Sequence, residues 1–266
     1  MKVRNFFNEV PPSPEFVLPG FPTGSVGLLT GAPGSGKTLF AIELCCAVAG
    51  GMQEEGNLLG LPVDSRGKAC YLNAEDSDGE LHRMVHAIGA LFAPETRKSI
   101  IRDFILDAGM GETQDILDDK SRETIIETCR NSRLIVFDTL SRFHALDESN
   151  TNNTARLMGA LDRIAVETGA AVLCLDRPNP ASLLAERIRW RAKLRLMEEE
   201  ESRSFCENPE GGSGLDRARD KIQPHRYFTE LWITDRFFSN LGTVNWFRIA
   251  DGGVLRPAHL YSTDGE

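Results

Sequence analysis

Gly31-Ala32-Pro33-Gly34-Ser35-Gly36-Lys37-Thr38 constrains this chain more than any other stretch. It fits the pattern G-x-x-x-x-G-K-[ST] without departure. The apolar run Val26 to Thr30 precedes it and reads as a buried strand. Lys37 to Ala49 follows, mostly apolar, and reads as a helix stopped by Gly50-Gly51. A strand, a glycine-rich turn and a helix in this order form a phosphate cradle. The glycines let backbone N–H groups converge on phosphate oxygens, and the helix adds its positive dipole end. Gly31 through Leu39 is therefore the candidate nucleotide-binding segment. Lys37 is expected to reach the β- and γ-phosphates of ATP, and Thr38 to hold Mg²⁺.

The rest of the chain supplies the sheet that such a loop needs. Ala69 to Asn73, Leu134 to Phe137 and Ala170 to Leu175 are short apolar runs that read as strands. Ser77 to Leu91, Ser121 to about Asn131 and Ala155 to Thr168 read as helices, with Pro94 marking the end of the first. Ile100 to Leu106 reads as a strand of mixed polarity. Alternation of this kind predicts an α/β fold, a mostly parallel sheet flanked by helices. Residues 185–205 read as a charged helical stretch and 207–226 as a loop. Tyr227 to Ile233 and Val244 to Ile249 read as strands. The second leads through Asp251-Gly252-Gly253 to Val254-Leu255, a C-terminal β-hairpin. Residues 1–25 carry Pro11, Pro12, Pro14, Pro19 and Pro22, an extended lead-in unsuited to a helix. The expected division is this lead-in and one ATPase domain over 26–266.

Two acids complete the nucleotide chemistry. Leu134-Ile135-Val136-Phe137-Asp138 puts a carboxylate at the end of a central strand, where it can serve Mg²⁺. Cys70-Tyr71-Leu72-Asn73-Ala74-Glu75-Asp76 puts Glu75 just past another strand, where it can orient water. Asp76 is the alternative for that role, or a cap for the next helix.

Composition narrows the partners. The chain has 266 residues and a net charge of −9, which argues against binding duplex DNA by bulk charge but allows a local basic channel. No window reaches the ~20 apolar residues of a membrane span. The cysteines are scattered without a Cys-x-x-Cys pair, which points away from zinc and toward a reducing, cytoplasmic compartment.

Further segments carry a family likeness. They are Val17-Leu18-Pro19-Gly20, Tyr71 to Asp76, His86 to Ala90, Leu134 to His144, and Trp246-Phe247-Arg248 with Asp251 to Leu255. With the phosphate loop, in this order and spacing, they resemble the RepA family of plasmid replicative helicases. That family consists of RecA-like ATPases that form hexameric rings and move along single-stranded DNA. The resemblance implies a RecA-like P-loop fold, ATP and Mg²⁺ as ligand and metal, a ring-shaped homo-oligomer and single-stranded DNA as partner. It implies phosphate and metal roles for Lys37 and Thr38, a metal role for Asp138 and a water-activating role for Glu75. Arg142 and His144 match a family motif whose role stays open between nucleotide coupling and a polar helix start.

The departures fall after Leu175. The family ends that strand with paired histidines as γ-phosphate sensor, and here stand Asp176 and Arg177. An anion is repelled by a γ-phosphate, whereas Arg177 can replace the donor if the register shifts by one. The family's mobile DNA-contacting stretch is shortened, with Pro178 and Pro180 stiffening what remains. Near residue 240 the expected lysine is replaced by Phe238, with Arg236 two residues earlier. Arg187, Arg189, Arg191, Lys193 and Arg195 form a basic cluster spread around the expected helix. Arg189 is the candidate to act in trans on a neighbour's ATP. The expected function is an ATP hydrolase coupled to single-stranded DNA. The alternative is a regulatory or scaffold ATPase of a mobile element that has lost the motor. A small-molecule kinase ranks last, because no basic lid follows the sheet.

Overall fold

The structure, a computed structural model, describes residues 13–50, 57–107, 115–196, 228–235, 244–249 and 254–257. In chain order the strands and helices are β1 (Phe16–Leu18), β2 (Phe21–Pro22), β3 (Val26–Gly31), α1 (Lys37–Ala49) and β4 (Ala69–Asn73). Then come α2 (Asp78–Gly89), α3 (Pro94–Asp103), β5 (Phe104–Asp107), α4 (Asp119–Thr128) and β6 (Leu134–Asp138). A 3₁₀ turn (Leu140–Arg142), α5 (Thr151–Thr168), β7 (Ala171–Asp176) and α6 (Leu184–Arg187) follow. The chain closes with β8 (Trp190–Leu196), β9 (Phe228–Asp235), β10 (Val244–Ile249) and β11 (Leu255–Pro257).

These strands form one nine-stranded sheet in the order β11-β10-β9-β8-β3-β7-β6-β4-β5, beside the small β1-β2 ribbon. The six strands from β8 to β5 run parallel, and β9, β10 and β11 are antiparallel additions. The central strands are apolar throughout because both faces are covered. On β6, Leu134 and Val136 face the layer of α1, α2 and α3, while Ile135 and Phe137 face α4 and α5. That alternation is the two-residue period of a strand. Helix α1 is buried from Phe40 to Ala49, which explains why its sequence shows so little polar face.

Three expectations need correction. Ile100 to Leu106 is not one strand: α3 runs to Asp103, and β5 begins at Phe104. Pro94 starts α3 instead of only ending α2, since the first turn of a helix leaves its N–H groups unpaired and tolerates proline. Thr96 and Ile100 then bury one helical stripe. The charged helical stretch expected over 185–205 is not continued beyond Arg187 among the described residues. One turn, α6, is followed by β8, and residues 197–205 lie outside the described residues. Trp190, Ala192 and Leu194 are buried while Arg191, Lys193 and Arg195 between them are not. The spacing of two that would scatter cations around a helix gathers them on one face of a strand.

The lead-in proves to be packed from Phe16 onward. Val17, Leu18 and Phe21 are core residues, and Phe21 stacks on Trp190 with ring centroids 4.5 Å apart. Gly27 on β3 lies under this stack, where a Cβ would stand 2.8 Å from both rings. At the far end of the chain the Leu255 N–H donates to Glu43 Oε1 at 2.6 Å, tying β11 to the buried side of α1. The turn Asp251-Gly252-Gly253 and the region of Arg236 and Phe238 lie outside the described residues. Among the described residues no helix is long and apolar enough to cross a membrane.

Candidate active site

Strands β3, β7, β6 and β4 lie side by side and parallel, so their C-terminal ends meet along one edge. Ligands in open α/β sheets sit at this edge. Gly31 ends β3 and opens the phosphate loop, and Gly36 turns the chain into α1 with φ 90°, a conformation that costs other residues a steric penalty. Gly36 has no side chain to cap the helix, so the first N–H groups of α1 keep their capacity for an anion. Ser35 is buried, and its hydroxyl has no hydrogen-bond partner among the described residues. A cradle of unsatisfied donors fits a phosphate chain.

Lys37 Nζ donates to Gly31 O at 2.7 Å and Ala32 O at 3.2 Å, which folds the ammonium over its own loop. Burial lowers its pKa, against the opposing pull of Asp138 and Glu75. Thr38 Oγ1 donates to Asp138 Oδ2 at 2.7 Å, although the two are far apart in sequence. Tyr71 on β4, fully buried, donates its phenol to the same oxygen. Asp138 is 2% exposed, and burial raises its pKa despite these two donors. A hydroxyl and a carboxylate are hard oxygen donors, as Mg²⁺ requires, with phosphate oxygens and waters completing its shell. The residues present fit that ion.

Glu75 stands two residues beyond β4. Asn73 builds its turn: Oδ1 accepts from Glu75 N at 3.3 Å and Asp76 N at 3.0 Å, and Nδ2 donates to Asp76 O at 2.6 Å. The Asp76 cap expected as an alternative does not form. Ser77 caps α2 in a capping box with Glu80. Glu75 Oε1 instead accepts from Arg177 Nη2 at 2.6 Å. Burial pushes Glu75 upward, but the Arg177 guanidinium, with Thr139 and Lys37, outweighs it and holds the carboxyl below its usual range. Asp176 ends β7 level with Thr30. Its pKa is raised to about 6 by burial.

Arg189 is not part of this constellation within its own chain. It precedes Trp190, which is level with Gly27, whereas Leu194 is level with Gly31. Arg189 therefore lies toward the opposite edge of the sheet from the phosphate loop. Next to it runs the basic row of β8, half-buried at Arg191 and Arg195 and exposed at Lys193. Leu28, Thr30, Ala185, Arg191, Lys193 and Arg195 line a groove of about 630 Å³. His144 turns inward: Nδ1 accepts from Leu146 N at 3.2 Å, and Nε2 lies 3.4 Å from Glu148 Oε1. Glu148 in turn accepts from Ser182 Oγ, and its carbonyl accepts from Leu183 N at 3.1 Å. The segment after β7 is thus clasped to the segment after β6. Arg142 is exposed on the 3₁₀ turn. Sequence reasoning missed Tyr71 and Asn73. Tyr71 could have been noticed as the one hydroxyl in an otherwise apolar strand core.

The model of the AAA_25 family, an AAA domain, matches residues 2–179. The chain belongs to the AAA_25 family. That match spans the phosphate loop, Glu75 and Asp138, so this AAA_25 protein is a P-loop ATPase. Among solved structures, a crystal structure of the RadB recombinase is similar, with a TM-score of 0.56 and 16% identity. The match covers 90% of this chain and 92% of that one. At this identity the likeness concerns the fold: the AAA_25 chain is an α/β protein of RecA-like type with a six-stranded parallel core.

Proposed function

We propose that the chain hydrolyses Mg-ATP at this edge and couples the reaction to single-stranded DNA, in the manner of hexameric plasmid replicative helicases. The observation that carries the catalytic half is the convergence of Lys37, the Thr38–Asp138 pair and Glu75 on one strand edge. Lys37 and the N–H groups of the loop bind the β- and γ-phosphates. Thr38 and Asp138 hold Mg²⁺, which neutralises phosphate charge when bound. Glu75 orients water and takes its proton as the water oxygen bonds to the γ-phosphorus. The bond from that phosphorus to the β–γ bridging oxygen breaks, and ADP and phosphate leave.

The DNA half rests on charge. Arg191, Lys193 and Arg195 share one face of β8 and line its groove, Lys193 exposed and the two arginines half-buried, in a chain of net charge −9. A basic row on an acidic protein suits a polyanion at one place only. In a ring, Arg189 at the start of this row acts on the ATP of the adjacent subunit.

A second reading keeps the ATPase and drops the motor. It is favoured by Asp176 at the sensor position and by the clasp of Glu148 on Ser182 and Leu183, which ties down the segment where a DNA loop would move. Steady-state ATP hydrolysis on sized oligomer and monomer fractions separates the two readings, with and without single-stranded DNA. Stimulation by DNA in the oligomer, lost in Lys37→Ala, is the expected result. ATP turnover indifferent to DNA selects the regulatory reading.

A further inference from the structure

We propose that Arg177 exchanges the Glu75 carboxylate for the γ-phosphate of ATP, so that Glu75 is released for catalysis only by a triphosphate. The proposal rests on the reading of Glu75 as the water-activating residue and adds how that residue is controlled. The pair is close, with Arg177 Nη2 2.6 Å from Glu75 Oε1. The sheet explains why it spans the site. β7 and β4 flank β6, so a contact from the end of β7 to the end of β4 passes across the end of β6, where Asp138 stands. On its other side β7 borders β3, and Asp176 is level with Thr30. Arg177 follows Asp176 directly, at the end of the strand that borders β3, from which the phosphate loop springs. One guanidinium thus stands between the base and the phosphate cradle.

The backbone of Arg177 is held while its side chain is not buried. Its N–H donates to Asp176 Oδ1 at 2.7 Å. The turn beyond it is closed by Ser182 N to Asn179 O at 3.1 Å and anchored on Glu148 through Ser182 and Leu183. The Arg177 side chain is 60% exposed and that of Glu75 is 31% exposed. An exposed carboxylate–guanidinium pair is weak, because water screens it and side-chain entropy opposes it. A γ-phosphate offers more negative charge and accepts a guanidinium bidentately, which is the stronger contact. Two anions that need the same cation bind antagonistically. ADP, lacking the γ-phosphate, leaves Arg177 on Glu75. ATP draws it away and frees the carboxylate toward water.

The test is a double-mutant cycle read by calorimetry, with the full chain and Mg²⁺ throughout. The ligands are a non-hydrolysable ATP analogue with an imido β–γ bridge, and ADP. Glu75→Gln keeps the shape and removes the competing charge. It is expected to tighten the ATP analogue about threefold to tenfold, with ADP affinity changed less than twofold. Arg177→Ala is expected to weaken the analogue roughly tenfold or more, the size of a lost charge-assisted contact, again sparing ADP. In the Arg177→Ala background, Glu75→Gln should no longer tighten the analogue. Arg177→Lys, which keeps charge without the fork, should fall between. Thermal melts establish that each variant is folded. The proposal is overturned if Glu75→Gln leaves the analogue unchanged or weakens it, or if Arg177→Ala affects ATP analogue and ADP alike. The base reading is tested separately: full ATP turnover in Glu75→Gln overturns it, whatever the affinities.

Discussion

Tyr71 and Thr38 donate to the same oxygen of Asp138, one from the interior of β4 and one from the first turn of α1. Tyr71 is fully buried in the core, and Asp138 is its hydrogen-bond partner. The phenol therefore orients the carboxylate and favours its ionised form against burial. Tyr71→Phe removes one oxygen and should leave the fold intact. The Mg²⁺ concentration giving half-maximal ATP turnover should rise about threefold to tenfold. The rise should be larger at pH 6 than at pH 8, because burial already raises the Asp138 pKa and the lost donor raises it further. A Mg²⁺ titration of ATPase rate at the two pH values measures both effects.

Glu75→Gln should keep nucleotide binding and lose turnover. General-base catalysis contributes on the order of 10²–10⁴-fold, so the rate should fall within that range. Lys37→Ala should instead lose binding itself. Single-turnover hydrolysis with a parallel binding titration separates the two phenotypes.

Asp176 carries a pH signature. Its pKa in the folded chain is about 6, raised by burial, against roughly 3.9 when unfolded. The folded form therefore prefers the protonated acid. The resulting penalty is absent at low pH, grows as pH rises from the unfolded value, and is complete above the folded value. Asp176→Asn carries no such penalty. Its melting temperature relative to the parent should be higher at pH 8 than at pH 5. Equal differences at both pH values would contradict the assignment.

Gly27 tests the packing beneath the Phe21–Trp190 stack. A Cβ there would stand 2.8 Å from both rings, so the rings must move. Overpacking of this kind costs about 1–3 kcal/mol. Gly27→Ala should lower the melting temperature by roughly 2–12 °C, at 2–4 °C per kcal/mol for a chain of this size. Thermal denaturation followed by circular dichroism reads this directly.

Much of the candidate site was legible in the sequence. The phosphate loop, Glu75 and Asp138 could be read because their chemistry is local: a glycine turn, a strand end, an acid. The central strands could be read because a strand buried on both faces is a short unbroken apolar run. Two segments misled. Pro94 signals a helix stop and a helix start equally well. In residues 185–205 the length of the charged run suggested a helix, although alternation from Trp190 to Arg195 already carried the strand period. Folding Trp190–Leu196 as β8 gathers Arg191, Lys193 and Arg195 on one face instead of spreading them around a helix.

Sequence alone determined which groups form the candidate nucleotide site, since the spacing of a phosphate loop is fixed by backbone geometry within a few residues. Tertiary structure decided which of those groups touch. Tyr71 meets Asp138, and Arg177 meets Glu75, because parallel strands β4, β6 and β7 end side by side. Strand order is settled by which apolar faces pack against α1 and α5, an outcome of the whole core that no short stretch of chain encodes.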